Sequence, residues 1–229
     1  MKDTTSLQDE IRLSRKQLKD SPFSKKLGYF WDYYRYHVIV IIVLALFLGN
    51  FLHSVLSRKD TVLSIAYINA FPNVEDEIFI EDFEQYLDLN PKKQEVLLDS
   101  GYYIDDTSAS PYSTTYHQKF STRCMSGMLD VVLADETNFI SYGKQSFFTD
   151  LREILSDEEL DFYSDALLYV KLSSDAGSES IPIGIEITSF PKILSTSSYP
   201  NSHAYFGIIH GSDHTQAALS YLEYLNHDR

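Results

Sequence analysis

Apolar and polar residues alternate in three different rhythms along this chain, and the first is the plainest. From Val38 to Leu56 the sequence reads VIVIIVLALFLGNFLHSVL, without one charge in nineteen residues, fourteen of them Val, Ile, Leu or Phe. As a helix rising ~1.5 Å per residue it is roughly 28 Å long, close to the ~30 Å hydrocarbon core of a bilayer. A core helix keeps a polar face, whereas this run is apolar on every side. It therefore predicts one transmembrane helix, within residues 37–57. Thirty-seven residues precede it, and SVLSRKD at its end contains no small-x-small cleavage signal, so an uncleaved anchor is expected.

The flanks suggest an orientation. Residues 1–36 carry eight Lys or Arg against five Asp or Glu, while only Arg58 and Lys59 follow the run closely. By the positive-inside rule the N-terminal segment lies in the cytoplasm and the C-terminal part outside. Trp31, Tyr33, Tyr34 and Tyr36 belong to an aromatic girdle at the inner membrane interface, where amphipathic rings settle. Upstream, Ser6 and Asp9 form an N-cap signature, and Leu7, Ile11 and Leu18 a thin stripe. Together they predict a cytoplasmic helix over Ser6–Lys19, broken at Ser21–Pro22.

Beyond the anchor the rhythm switches between period 2 and period 3.6. Strands are expected at Val62–Ile68, Gln94–Leu98, Asp130–Asp135, Ala166–Lys171, Ile181–Ile187 and Tyr205–His210. Between them lie helical patterns. One is capped by Asn73 and carries Phe79, Phe83, Tyr86 and Leu87. Another starts at Ser110–Pro111 with Tyr112, Tyr116, Phe120 and Cys124 on one face. Others cover Glu136–Tyr142, Leu151–Leu155 and Asp157–Tyr163, and a last one, capped by Ser212, faces the core with Ala218, Tyr221, Leu222 and Leu225. Residues 100–110, 143–146 and 173–180 read as loops or turns. This alternation predicts an α/β extracytoplasmic lobe over residues 61–229, with a mostly parallel sheet flanked by helices.

Charge and cysteine usage narrow the function. Residues 57–229 hold eleven Lys or Arg against twenty-eight Asp or Glu, a net of −17. Such a surface repels phosphate backbones, so nucleic acid is not an expected partner. The single cysteine, Cys124, allows neither an internal disulfide nor a cysteine-built zinc site, which suits a bacterial exterior.

The stretch ending MSGML, the strand DVVLAD, the following short helix and the segment FFTDL resemble the first lobe of type 2 extracellular solute-binding proteins. The closing FGIIHGSDHTQAALSYL is similar to that family's last strand and helix. The resemblance covers residues 61–226 in outline and implies a lobe related to solute capture. A complete member has two lobes and some 300 residues, so the second lobe would be missing or much reduced. The layout, with YFWDYYRYH before the span, also resembles uncharacterised single-pass membrane proteins of Gram-positive gut bacteria, a likeness that carries no activity with it.

Ligands of open α/β sheets sit beyond the carboxyl ends of the strands. Asn69, Asp135, Glu136 and Glu186 fall there and are the expected ligand-binding groups; Asp135 is equally suited to capping the helix after it. His210, Asp213 and His214 have metal-ligand chemistry, but Gly211 and Ser212 break any helix that would align the two histidines, so no metal is expected. Cys124 reads as a core residue. With no serine elbow, phosphate loop, dinucleotide fingerprint or zinc-protease motif, no catalytic residues and no cofactor are expected. The leading expectation is a non-catalytic membrane-anchored module that docks on a membrane or cell-surface partner. The alternatives are a reduced solute receptor binding a small ligand at the strand ends and, more weakly, a cell-envelope hydrolase.

Overall fold

The computed structural model describes residues 23–71, 76–105, 111–172 and 179–227. The helix expected over Ser6–Lys19, the break at Ser21–Pro22 and the caps Asn73 and Ser110 lie outside these residues. The chain divides into two compact units at Arg58/Lys59.

In the first unit one helix, α1 (Phe23–Leu56), runs without interruption through the aromatic segment and the apolar run. Its stretch Tyr34–Val55 is long and apolar enough to cross a membrane, and none of it is buried within the protein. Trp31, Tyr34 and Tyr36 are exposed, and Tyr33 lies on the same helix.

The second unit is a mixed α/β structure. Its elements are β1 (Asp60–Ile68), α2 (Asp76–Tyr86), β2 (Gln94–Tyr102), α3 (Pro111–Met125), β3 (Val131–Asp135) and α4 (Glu136–Lys144). They are followed by α5 (Asp157–Phe162), β4 (Leu167–Val170), β5 (Ile181–Glu186), α6 (Pro191–Thr196), β6 (Ala204–Ile208) and α7 (Thr215–Leu225). The six strands form one sheet in the order β2-β1-β3-β6-β5-β4. The expected parallel arrangement holds for β2, β1 and β3. The other three pairings, β3·β6, β6·β5 and β5·β4, are antiparallel, so the sheet is mixed. Parallel neighbours need a crossover of a dozen or more residues, usually helical. The polar stretch between β4 and β5 is a hairpin connection instead.

Alternation along the strands sends side chains to two cores. Leu63, Ile65, Tyr67, Val131 and Leu133 face one side, beneath Phe83 of α2 and Tyr221 of α7. Ala66, Ile68, Val132 and Ala134 face the other, beneath Phe120 of α3 and Phe139 of α4.

Several local expectations are corrected. β2 continues through Ser100 and Gly101 to Tyr102, where a loop was expected. On α3, Phe120 and Cys124 are buried with Ser113, while Tyr112 points to solvent. A four-residue spacing overruns a 3.6-residue turn by roughly 40° each step, so a row of four such positions drifts off the buried face. Ser212 does not cap the last helix. α7 begins at Thr215, and the Ser212 hydroxyl donates to Asp130 Oδ1 at 2.6 Å. β6 stops before His210, and α6, started by Pro191 at its first turn, is an additional helix.

Candidate functional site

β1, β3 and β5 point the same way, so their carboxyl ends form one edge of the sheet. The chain leaves β1 for the face covered by α2 and leaves β3 for the face covered by α4. A crevice opens where consecutive connections diverge in this manner, and it is the usual ligand position in open α/β sheets.

The side chains at that crevice are tied to one another. Asn69 ends β1 in the left-handed conformation, φ 56°, which asparagine tolerates better than most residues. Its Nδ2 donates to Ile104 O at 2.7 Å and to Asp135 Oδ2 at 2.8 Å, and its Oδ1 accepts from Ile104 N at 2.8 Å. Asp135 caps α4 through Oδ1, which accepts from Asn138 N at 3.2 Å. Its Oδ2 also accepts from Asn138 Nδ2 at 2.8 Å, and the same Nδ2 reaches Ile104 O at 3.2 Å. Asp135 is thus the helix cap and also a clasp joining β1, β3, α4 and the segment after β2. Asn138 is only 3% exposed, and among the described residues its Oδ1 has no hydrogen-bond partner. A depression of about 290 Å³ lies here, lined by Asn69, Asp135 and Asn138 with Tyr103, Asp105 and Thr137 around them.

Tyr199 is buried, and its hydroxyl lies 3.0 Å from Ile68 O at the end of β1 and 2.9 Å from Leu133 O in the middle of β3. Burial, with the neighbouring Tyr67 and Asp135 charges, pushes the Tyr199 hydroxyl far above the ordinary tyrosine range. It acts as a neutral brace.

Further along the edge, Asp135 is in register with Ala204 and Glu186 with Tyr205. Glu186 Oε1 accepts from Thr188 Oγ1 at 3.2 Å and lies 2.6 Å from His203 Nδ1. The hydrogen bond and the charge of Glu186, aided by Glu136, raise the pKa of His203 above the ordinary histidine value. The four expected residues therefore share one edge but form two groups, Asn69 with Asp135 and Glu136 with Glu186. The sequence singled out neither Asn138 nor His203 for this edge. For Asn138 the available signal was its place three residues after the cap.

His210 and His214 border one small cavity. His210 is exposed, whereas His214 Nδ1 lies 3.1 Å from Oδ1 of Asp130, whose Oδ2 accepts from Ser64 N at 2.8 Å. Among the described residues no group of three His, Cys, Asp or Glu is placed to hold a metal ion. Cys124 sits in the core, where burial pushes its thiol up to about 12, against the lowering effect of Arg123. No family model, curated protein or solved structure matches the chain.

Proposed function

We propose that this protein is a membrane-anchored, non-catalytic binding module of a bacterial cell membrane. Its N-terminal segment is cytoplasmic, and residues 61–229 form an extracytoplasmic lobe that docks on a membrane or cell-surface protein. One observation carries the reading. A wholly exposed apolar helix, Tyr34–Val55, is joined to an acidic α/β unit through only three residues, Ser57–Lys59. An apolar surface of that extent is not stable in water and calls for lipid. The polar groups at the strand ends satisfy one another more than they present reactive groups, which suits binding over chemistry. The likeness to a single solute-binding lobe points to recognition as well. Purification of the intact protein in mild detergent after cross-linking in its native membrane is the test. Stoichiometric recovery of a membrane or surface protein is expected, and recovery of none above background counts against docking.

A second reading, a reduced receptor for a small ligand, is favoured by the depression beside Asp135 with the buried Asn138 Oδ1 at hand. It predicts that an amino acid, sugar or short peptide raises the melting temperature of the full chain. The shift should vanish in Asp135→Ala and also in Thr137→Tyr, which fills the depression and leaves the Asp135 bonds in place.

A further inference from the structure

The α5 segment is unusual in the second unit. None of its side chains is fully buried, only Leu160 being partly so, and its ends are secured locally. The Ser156 hydroxyl accepts from Glu159 N at 3.3 Å, while Glu159 Oε2 accepts from Ser156 N at 2.7 Å, a complete capping box. The box fixes the start of the helix, while Leu160 and Tyr163 pack partly buried against the core, so Glu158 and Phe162 keep their outward positions. Phe162 at its end is 72% exposed, and its ring meets that of Tyr163 edge-on at 4.8 Å.

Between α5 and α7 lies a groove of about 420 Å³. Its accessible apolar surface comes from Phe162, Tyr163 and Leu219, over the buried Leu155 and Leu222, and Glu158, Glu159 and Glu223 stand along it. Among the described residues no Lys, Arg or His lines it. Hydrogen bonds from the Ser156 hydroxyl and backbone lower the pKa of Glu159, keeping that carboxylate charged. Glu223 and Glu159 line the groove together with Tyr163. An apolar strip with negative charge along it is the complement of an amphipathic segment whose apolar stripe is flanked by Lys or Arg. The exposed Phe162 face adds an attraction for a cation that an acidic or neutral segment could not use.

We infer that this groove between α5 and α7 is the docking surface for a Lys/Arg-flanked amphipathic segment of the partner protein. The inference rests on the docking reading above and names the surface and the chemistry of what it receives.

The test uses the full chain in nanodiscs of zwitterionic lipid, with protein-free nanodiscs as the blank. The probe is a short fluorescent helix-forming peptide of Leu and Lys, compared with the same peptide carrying Glu for Lys. The Lys peptide is expected to bind and the Glu peptide to fail. Phe162→Ser, which alters no charge, should weaken binding by at least about tenfold, and so should Glu158→Gln combined with Glu223→Gln. Glu81→Gln with Glu95→Gln, which removes the same charge from α2 and β2, should change it by less than about twofold. All three substituted groups in the groove are exposed, so the variants keep the native melting temperature. Binding unchanged by Phe162→Ser, or weakened equally by the α2/β2 pair, overturns the groove in favour of general charge attraction. A photo-cross-linker at position 162 or 103 in the native membrane separates this inference from its premise. An adduct at 162 that the Lys peptide competes away supports the groove. An adduct at 103 alone overturns the groove and leaves docking standing, and none at either position overturns both.

Discussion

Asp135 shows how one side chain serves two purposes at a strand end. Its carboxylate caps α4 and accepts from Asn69 and Asn138, so truncation removes the cap and weakens a partly buried network together. A lost N-cap costs about 1 kcal/mol and donors stripped of their acceptor about as much again. Asp135→Ala should therefore destabilise the second unit by about 2–3 kcal/mol in denaturant melts. Asp135→Asn, which keeps an acceptor for the cap, should cost about half as much; equal losses would show that the cap is not the larger part. His203 gives a prediction of opposite sign in pH. Its folded pKa is raised by Glu186, so the pairing contributes stability that is complete below the ordinary histidine value and is lost as pH rises through the folded pKa. An NMR titration should place His203 above about 6.5, and Glu186→Gln should bring it back down. That Asn69, Asp135, Glu136 and Glu186 reach one edge was legible from strand ends alone. The pairing of Glu186 with His203 was not, because it depends on β6 entering the sheet beside β5.

At the scale of elements, α4 is held to the sheet by a ring over two glycines. Phe139 stacks on Phe148 at 4.3 Å between centroids and lies against Gly184 of β5 and Gly207 of β6. A Cβ on Gly207 would stand 2.6 Å from Phe139 Cζ and 3.1 Å from Phe148 Cδ1, so the ring would have to move. Gly207→Ala should cost about 1–3 kcal/mol, the usual penalty of overpacking. Adding Phe139→Leu should recover part of it, and simple additivity in the double-mutant cycle would show that no clash exists. Neither glycine announced this in the sequence, since close approach comes from packing and not from any local pattern. Strand identity was legible where β-branched runs were long, as in β1, β3 and β5. Strand direction was only partly so. The helices after β1 and β2 imply parallel neighbours, while the polar sequence after β4 shows no helical pattern, and β4 and β5 pair antiparallel. α6 escaped notice because six residues are too few to display a period, leaving only Pro191 as its sign.

For the whole molecule, charge bears on acid stability and on the proposed orientation. Burial raises Asp99, but its bonds to Lys119 and Gly101 and the charges of Lys119 and Arg123 outweigh it, and Arg152 holds Asp150 low in the same direction. Carboxylates with lowered folded pKa values contribute stability that is complete above the ordinary aspartate value, about 3.9, and is lost as pH falls through the folded pKa. Melting temperature should thus decline below about pH 4, and less steeply in a chain carrying Asp99→Asn and Asp150→Asn. The proposed orientation rests on where the positive charge lies. Cys124 is buried, with its thiol pushed up to about 12, so the native chain is a silent background for thiol labelling. Ser14→Cys and Asp165→Cys then report the two sides of the anchor separately. A membrane-impermeant maleimide added to intact cells should label the variant at 165 and leave the variant at 14 unlabelled until the membrane is permeabilised. Labelling at 14 alone would invert the proposed orientation and place the acidic groove on the cytoplasmic side. The eight Lys or Arg before the anchor oppose that inversion, since only two follow it closely and acidic residues weigh little in setting orientation.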